Sequence, residues 1–230
     1  MRAAVFLDRD GVINETRAGY VKSWEEFVFL PNVFEPLRQL AQNGLLTIVV
    51  TNQSAINRGL VSRETVGTIH RQMCEVVSRN GGRIDAVLTC PHRPDENCRC
   101  RKPEPDLLLQ AAERFDLDLP QSYLIGDALC DIAAGLAVGC RPILVLTGRG
   151  REDSARLRAQ GYDGYRVAAD LEEATKWILD DHLGTSASDS LTNGQEISSY
   201  QQDCGETAPL SWHHPELDVS RPGAAKYQPS

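Results

Sequence analysis

Short apolar runs alternate with amphipathic segments along most of the chain. The runs are nearly continuous in hydrophobic residues, which is typical of strands that are buried on both faces of a parallel sheet. They are AAVFL (3–7), LLTIVV (45–50), IDAVLT (84–89), YLIG (123–126) and PILVL (142–146). This alternation predicts an α/β fold with a doubly wound, mainly parallel, Rossmann-like sheet and right-handed crossovers.

The segments between the runs carry helix signals. Ser62 is a typical N-cap, and Gly81 can end the helix that follows it. Gly44 can end the preceding helix in the same way. The predicted helices cover residues 34–41, 66–77, 107–115 and 131–138, and RVAADLEEATKWILDDHL (166–183) adds a short strand and a closing helix.

The composition changes after Leu183. Residues 184–230 are rich in Ser, Gly, Gln and Pro and have no sustained apolar period, so they predict a disordered tail after a folded domain of residues 1–183. The pair His213–His214 beside Trp212 could bind a metal, but an isolated pair in such a tail is better interpreted as having no such role.

The net charge and the lengths of the apolar runs restrict which molecules the chain can bind and where it can reside. A formal net charge of −8 over 230 residues disfavours binding to a nucleic-acid backbone. No apolar run is long enough to cross a membrane, and the N-terminal run is too short for a signal peptide. We therefore expect a cytoplasmic protein that acts as a monomer on a small polar substrate, with its scattered cysteines as free thiols.

Chemically active side chains cluster where the predicted strands end. They are Asp8 and Asp10, then Thr51, Asn52, Gln53 and Ser54, then Arg101 and Lys102, and finally Asp127 and Asp131. The carboxyl ends of parallel strands meet at one edge of the sheet, which is where open α/β sheets bind ligands. Each residue alone could be a turn, cap or surface residue, but the joint placement predicts a site.

These residue types suit phosphoryl transfer. Asp8, Asp10 and Asp127 offer the oxygen ligands that Mg²⁺ prefers. A carboxylate next to Mg²⁺ can attack phosphorus, while Lys102 and Thr51 hold the phosphoryl oxygens. A second carboxyl can protonate the leaving alkoxide and then deprotonate the attacking water.

A cysteine-histidine cluster at residues 90–100 predicts a second metal site. Cys90, His92, Cys98 and Cys100 form a Cys₃His set, which suits tetrahedral Zn²⁺. Because four protein ligands leave no open position, the zinc is expected to be structural. A nucleic-acid-binding zinc finger is the competing interpretation, but the chain lacks a helical histidine pair and a basic helix. Thiols without metal are the remaining alternative.

Four segments resemble the motifs of the haloacid dehalogenase-like phosphatases, and the resemblance covers residues 1–183. They are FLDRDGVIN, VVTNQSAINRG, CRKPEPDLL and LIGDALCDIAAG. Together with CPHRPDENCRC, they are most similar to the subgroup that acts on D-glycero-D-manno-heptose 1,7-bisphosphate or on histidinol phosphate. The resemblance implies hydrolysis of a phosphomonoester, with a heptose bisphosphate 7-phosphate as the expected substrate.

The resemblance also implies roles for individual residues. Asp8 would be the nucleophile that forms an aspartyl-phosphate. Asp10 would be the general acid and base and would give Mg²⁺ its backbone carbonyl, and Asp127 would complete the protein ligands. Thr51 and Lys102 would contact the phosphoryl group during catalysis. The implied substrate-binding residues are Gly19, Tyr20, Thr51, Asn52, Gln53, Ser54, Arg101 and Lys102.

The sequence departs from the pattern of these related phosphatases at two places, and both bear on the identity of the substrate. Related enzymes often have a basic residue after the Gly-Asp of the fourth motif, where this chain has Ala128, so any contact there must use the backbone. The segment NETRAGY is also one residue longer than the short form that is associated with the heptose bisphosphate enzyme. Histidinol phosphate, a nucleic-acid 3′-phosphate and a non-catalytic binding role remain as alternatives.

Overall fold

The structure is a computed structural model that describes residues 2–190. Its strands are β1 (Ala4–Leu7), β2 (Leu46–Asn52), β3 (Ala86–Cys90), β4 (Tyr123–Gly126), β5 (Arg141–Val145) and β6 (Arg166–Ala168). They form one six-stranded sheet in the order β3-β2-β1-β4-β5-β6, and every pair is parallel. The predicted doubly wound α/β fold is confirmed.

Helices connect the strands on both faces of the sheet. They are α1 (Phe34–Gln42), α2 (Arg63–Arg79), α3 (Asp106–Phe115), α4 (Leu129–Ala137), α5 (Gly150–Ala159) and α6 (Leu171–Ser190). The predicted cap of α2 is present, because the Ser62 hydroxyl accepts a hydrogen bond from the Thr65 backbone N–H at 3.0 Å. Helix α5 was not predicted, since its sequence GREDSARLRA carries only one large apolar residue, Leu157.

The alternating side chains of β1 show how the two faces are filled. Val5 and Leu7 join a core with α1, α2 and α6, whereas Ala4 and Phe6 join a second core with α3 and α4. All of these β1 side chains are fully buried, as expected for the central strand of a parallel sheet.

Helix α6 extends past the predicted end of the folded domain. It continues through residues 184–190, which therefore belong to the helix rather than to the predicted tail. The loss of apolar periodicity after Leu183 does not by itself end the backbone hydrogen bonding of a helix. The rest of the predicted tail, including His213 and His214, lies outside the described residues. Within residues 2–190, none of the helices has the length and apolar character that a membrane crossing requires.

The strand order places a crevice at the carboxyl end of β1. This strand lies between β2 and β4, so Leu7 is paired with Val49 on one side and with Ile125 on the other. The direction of the crossovers changes here, and ligands of open α/β sheets bind at such switch points. The loops after β1, β2 and β4 therefore meet in one place.

Candidate active site

Three carboxylates meet at the switch point. Asp8 directly follows β1, Asp127 follows β4, and Asp131 lies in the first turn of α4. Their carboxylate oxygens lie within 4.8 Å of one another. The sequence predicted Asp8, Asp127 and the Asp10 carbonyl as metal ligands. It placed Asp131 at the same edge of the sheet without a ligand role, since Asp131 alone could simply cap its helix. The Asp131 side chain does accept a hydrogen bond from the Ala128 N–H at 3.0 Å, and it also belongs to the cluster.

Lys102 brings a buried cation to these carboxylates. Its Nζ lies 2.9 Å from Asp8 Oδ1, 2.6 Å from Asp131 Oδ1 and 2.6 Å from the Val50 carbonyl oxygen. Burial opposes the charge, but the neighbouring Asp131 and Asp8 carboxylates outweigh it and raise the pKa of Lys102. The side chain is 2% exposed, so these contacts hold a permanent positive charge against Asp8.

Asp8 and Asp127 resist ionisation. Burial, together with the charges of Asp131 and Asp10, raises the pKa of Asp8 to about 6 despite the opposing effect of Lys102. Burial and the neighbouring Asp8 raise the pKa of Asp127 to about 8. Close, buried carboxyls that resist ionisation form a set of oxygen donors that a divalent cation would stabilise. The residues present therefore fit Mg²⁺.

Asp10 has a different environment from Asp8. Its Oδ1 accepts from the Asn14 amide at 2.9 Å and its Oδ2 from the Gln53 amide at 2.7 Å. Arg9 Nη2 lies 2.8 Å from both oxygens. Burial opposes ionisation, but the Arg9 charge and these hydrogen bonds outweigh it and lower the pKa of Asp10. Asp10 is thus held as an oriented carboxylate at the cavity wall.

The loop after β2 supports the site from one side. Asn52 and Lys102 exchange two hydrogen bonds, with Asn52 Nδ2 donating to the Lys102 carbonyl at 3.0 Å and the Lys102 N–H donating to Asn52 Oδ1 at 3.1 Å. Thr51 is buried, and its hydroxyl accepts from the Gln53 amide at 2.9 Å. The structure therefore places Thr51 behind the cavity wall, whereas Asn52, Gln53 and Ser54 line the cavity.

A cavity of about 340 Å³ opens in front of these groups. Of the predicted residues from other loops, Tyr20 and Arg101 line it, and so does Ala128. Gly19 is exposed, and its carbonyl accepts a hydrogen bond from Lys22 Nζ at 3.1 Å. It is not among the residues that line the cavity. The cavity walls also contain basic residues that no sequence motif indicated, and these are Arg17, Arg58 and Arg149.

Arg149 contributes through its backbone as well. Its N–H donates to Asp127 Oδ2 at 2.8 Å. A glycine at position 148 is required for this approach. Its φ is +50°, and the Cβ of any other residue would lie 2.1 Å from Asp127 Oδ2. No spacing in the sequence links the loop after β5 to Asp127, so the only available signal was its position at the same edge of the sheet.

The predicted zinc ligands are gathered at one point. The Cys90–Cys98 and Cys98–Cys100 sulfur pairs are each 3.6 Å apart, and His92 Nδ1 lies 3.5 Å from the Cys90 sulfur and 3.3 Å from the Cys100 sulfur. A tetrahedral zinc with ligands at ~2.3 Å would place neighbouring sulfurs ~3.8 Å apart. The donor types and their spacing therefore fit Zn²⁺ with all four positions taken by protein.

Comparisons with known proteins agree with this geometry. A family model described as "HAD-hyrolase-like" matches residues 99–174. The chain is 39% identical over 177 residues to the D-glycero-beta-D-manno-heptose-1,7-bisphosphate 7-phosphatase of Bordetella bronchiseptica, covering 76% of this chain and 97% of that protein. The enzyme of the same name from Pseudomonas aeruginosa is 40% identical over 149 residues, covering 65% of this chain and 84% of the relative.

Solved structures show the same similarity. The D,D-heptose 1,7-bisphosphate phosphatase of B. bronchiseptica, complexed with magnesium and phosphate, has a TM-score of 0.73 at 38% identity, and the match covers 79% of this chain and 99% of that one. The phosphatase of the same name from Burkholderia thailandensis has a TM-score of 0.60 at 37% identity, over 77% and 99% of the two chains.

Proposed function

This chain belongs to the haloacid dehalogenase-like phosphatases, in the branch that contains the heptose bisphosphate phosphatases, and we propose that it hydrolyses the 7-phosphate of D-glycero-D-manno-heptose 1,7-bisphosphate. The observation that carries the proposal is the placement of Asp8 in the wall of the cavity, paired with Lys102 and clustered with Asp127. A carboxylate nucleophile needs such a setting, in which positive charge offsets its repulsion from a phosphate.

In the first half-reaction, a carboxylate oxygen of Asp8 attacks phosphorus. The bond between phosphorus and the sugar oxygen breaks, and the electron pair stays on that oxygen. The negative charge of the bound phosphate opposes the ionisation of Asp10, which is favoured in the empty site, so Asp10 enters this step protonated. Its carboxyl gives the sugar oxygen this proton, and the sugar leaves as an alcohol. The products are an aspartyl-phosphate at Asp8 and an ionised Asp10.

In the second half-reaction, a water molecule attacks the phosphorus of the aspartyl-phosphate. Asp10 takes a proton from that water, and the bond between phosphorus and Asp8 breaks to restore the carboxylate. Lys102 stabilises the phosphoryl oxygens in both steps, and its contacts with Asn52 position its backbone. Asp8, Asp127 and the Asp10 carbonyl would hold Mg²⁺, whose charge lowers the repulsion between the Asp8 carboxylate and an anionic phosphate.

The charges of the cavity favour a bisphosphate over histidinol phosphate. Arg17, Arg58, Arg101 and Arg149 line it in addition to Lys102. A second phosphate on the substrate would pair with these arginines. The ammonium group of histidinol would be repelled by them and could be attracted only by the aspartates of the lining, which the reaction and Mg²⁺ use. The net charge of −8 over the whole chain makes a nucleic-acid substrate a poor fit.

The zinc loop has a positioning role in this proposal. Arg101 and Lys102 directly follow the last ligand, Cys100, so a closed zinc site would fix the chain immediately before both cations. Arg101 Nη1 also donates to the carbonyl of the ligand His92 at 3.2 Å. A structural zinc would therefore orient the substrate-binding cations without taking part in the reaction.

All the groups assigned to the reaction come from one chain, so a monomer can perform it. The thiolates of the zinc site favour a reducing compartment such as the cytoplasm. Light scattering with the purified chain tests the monomer directly.

The substrate is tested by phosphate release from the purified full chain with Mg²⁺. The compounds compared are both anomers of heptose 1,7-bisphosphate, histidinol phosphate and a DNA 3′-phosphate. We expect the highest kcat/KM with one anomer of the bisphosphate, and loss of turnover with Asp8→Asn. A preference for histidinol phosphate or the DNA end would contradict the proposed substrate, and unchanged turnover by Asp8→Asn would contradict the proposed chemistry.

A further inference from the structure

Arg9 lies between the two catalytic aspartates but has no part in the chemistry described above. It is only 1% exposed and is among the largest fully buried side chains of the described residues. Its guanidinium lies 5.8 Å from the centre of the Phe27 ring. A buried guanidinium needs specific partners to compensate for lost hydration, so its contacts indicate what it does.

The guanidinium joins a catalytic residue to a helix behind the site. Nη2 lies 2.8 Å from each carboxylate oxygen of Asp10, so it approaches both oxygens of that group evenly. Nη1 lies 3.1 Å from Nε2 of His70, which belongs to α2 and is 61 positions further along the chain. Arg9 therefore connects Asp10 to α2.

The chemistry of the two groups fixes the state of His70. An arginine side chain can donate hydrogen bonds but cannot accept them, so His70 Nε2 must be the acceptor and carries no proton. His70 is 7% exposed and lies on the face of α2 that also buries Ile69 and Met73. The rigid helix thus presents a fixed acceptor to Arg9.

We infer that Arg9 and His70 form a positioning pair that fixes the orientation of the Asp10 carboxyl for its proton transfers. This inference rests on the proposed function, because it assumes that Asp10 protonates the leaving group. Asn14 and Gln53 each hold only one oxygen of Asp10, whereas Arg9 holds both. When one of the single contacts is exchanged for the substrate oxygen, the two-point contact with Arg9 keeps the carboxyl in place.

The pair His70→Leu and His70→Gln tests this inference. Leucine is of comparable size but accepts no hydrogen bond, whereas the glutamine side chain can place an oxygen near the position of Nε2. Each variant is assayed as the full chain with Mg²⁺, on heptose bisphosphate and on p-nitrophenyl phosphate. The sugar alkoxide needs a proton to leave, but p-nitrophenolate leaves readily without one. Because kcat/KM covers only binding and the steps through the first departure, it excludes the second half-reaction, and the difference in loss between the two substrates reports the proton transfer to the leaving group.

We expect His70→Leu to lower kcat/KM for the sugar phosphate by about 10-fold or more, as part of the total effect of general acid catalysis. We expect a loss of less than about threefold with p-nitrophenyl phosphate, and His70→Gln should restore most of the sugar phosphate activity. Equal losses with both substrates, or no loss with either, would overturn the inference and leave His70 with a packing role.

Arg9→Lys provides a second test if His70→Leu does not fold, which circular dichroism would show. Lysine keeps the positive charge but cannot contact His70 and both oxygens of Asp10 together. The same selective loss with the sugar phosphate is expected, and an unselective loss would count against the inference. The wild-type chain separates the two proposals, because its failure to hydrolyse any phosphomonoester would overturn the proposed function itself.

Discussion

The buried carboxylates Asp8 and Asp127 should make the stability of the protein depend on pH and on Mg²⁺. In the folded protein the pKa of Asp127 is raised to about 8 and that of Asp8 to about 6, from an ordinary value of 3.8. A carboxyl with a raised pKa keeps its proton on folding, so its contribution to stability is present at low pH and is lost as the pH rises through the folded pKa. The relevant window is therefore about pH 4 to 8.

The size of the effect follows from proton linkage. Each extra proton held by the folded state costs about 1.4 kcal/mol of stability per pH unit of increase. Between pH 5 and pH 8, Asp127 holds an extra proton over about 3 units and Asp8 over about 1 unit, so the loss is about 5 kcal/mol. That loss is comparable to the whole free energy of unfolding of many domains. The lowered pKa of Asp10 acts only at more acidic pH and does not offset the loss.

Mg²⁺ should reverse this loss, because it binds the ionised carboxylates. The assay is chemical unfolding at pH 5.5 and pH 8, after dialysis into Mg²⁺-free buffer rather than chelation, which would also remove zinc. We expect the Mg²⁺-free chain to be less stable at pH 8, and millimolar Mg²⁺ to stabilise it far more at pH 8 than at pH 5.5. Asp127→Asn should lose most of both effects, whereas Asp163→Asn, at an exposed position outside the cluster, should behave like wild type.

A Mg²⁺-free chain that is equally stable or more stable at pH 8 than at pH 5.5 would contradict the raised pKa values of Asp8 and Asp127. Equal stabilisation by Mg²⁺ at both pH values would contradict them as well, since proton release would then not accompany binding.

Further expectations concern single side chains. Cys98→Ser should lose zinc, measured by elemental analysis, and lower both the melting temperature and activity, whereas Cys74→Ser, outside the cluster but packed against the core, should keep zinc and activity. Lys102→Met should lower kcat/KM for phosphate esters by about 100-fold or more by removing a charge that stabilises the transition state, and Lys176→Met, at an exposed position on α6 outside the cavity lining, should match wild type. Asn52→Ala should lower kcat/KM by about 10-fold through the lost contacts with the Lys102 backbone, and wild-type kcat/KM in that variant would contradict the positioning role of Asn52.

Local sequence signals were sufficient for most of the fold. Continuous apolar runs predicted the central strands, because both faces of a parallel sheet are buried. The same signals were weak for α5, whose buried positions include Gly150, Asp153 and Ser154 together with Leu157. A helix that buries small and polar residues has no apolar period to recognise.

The candidate site was predictable where strand ends meet and unpredictable where contacts depend on distant packing. The placement of Asp8, Lys102 and Asp127 together followed from the parallel topology. The ion pair between Lys102 and Asp131 and the contact between Arg9 and His70 involve side chains on different elements, and no spacing rule joins such residues. His70 in particular lies within the apolar face of α2, where the sequence alone indicates only a core residue.

The identity of the nucleophile can be tested by trapping the covalent intermediate. Borohydride reduces an aspartyl-phosphate to homoserine, and peptide mass spectrometry then locates the modified residue. With heptose bisphosphate and Mg²⁺ present during quenching, we predict homoserine at position 8 in the wild-type chain and none in Lys102→Met under the same brief reaction time. Turnover without any modification at Asp8, or with homoserine at Asp127 or Asp131 instead, would contradict the assignment of Asp8 as the nucleophile.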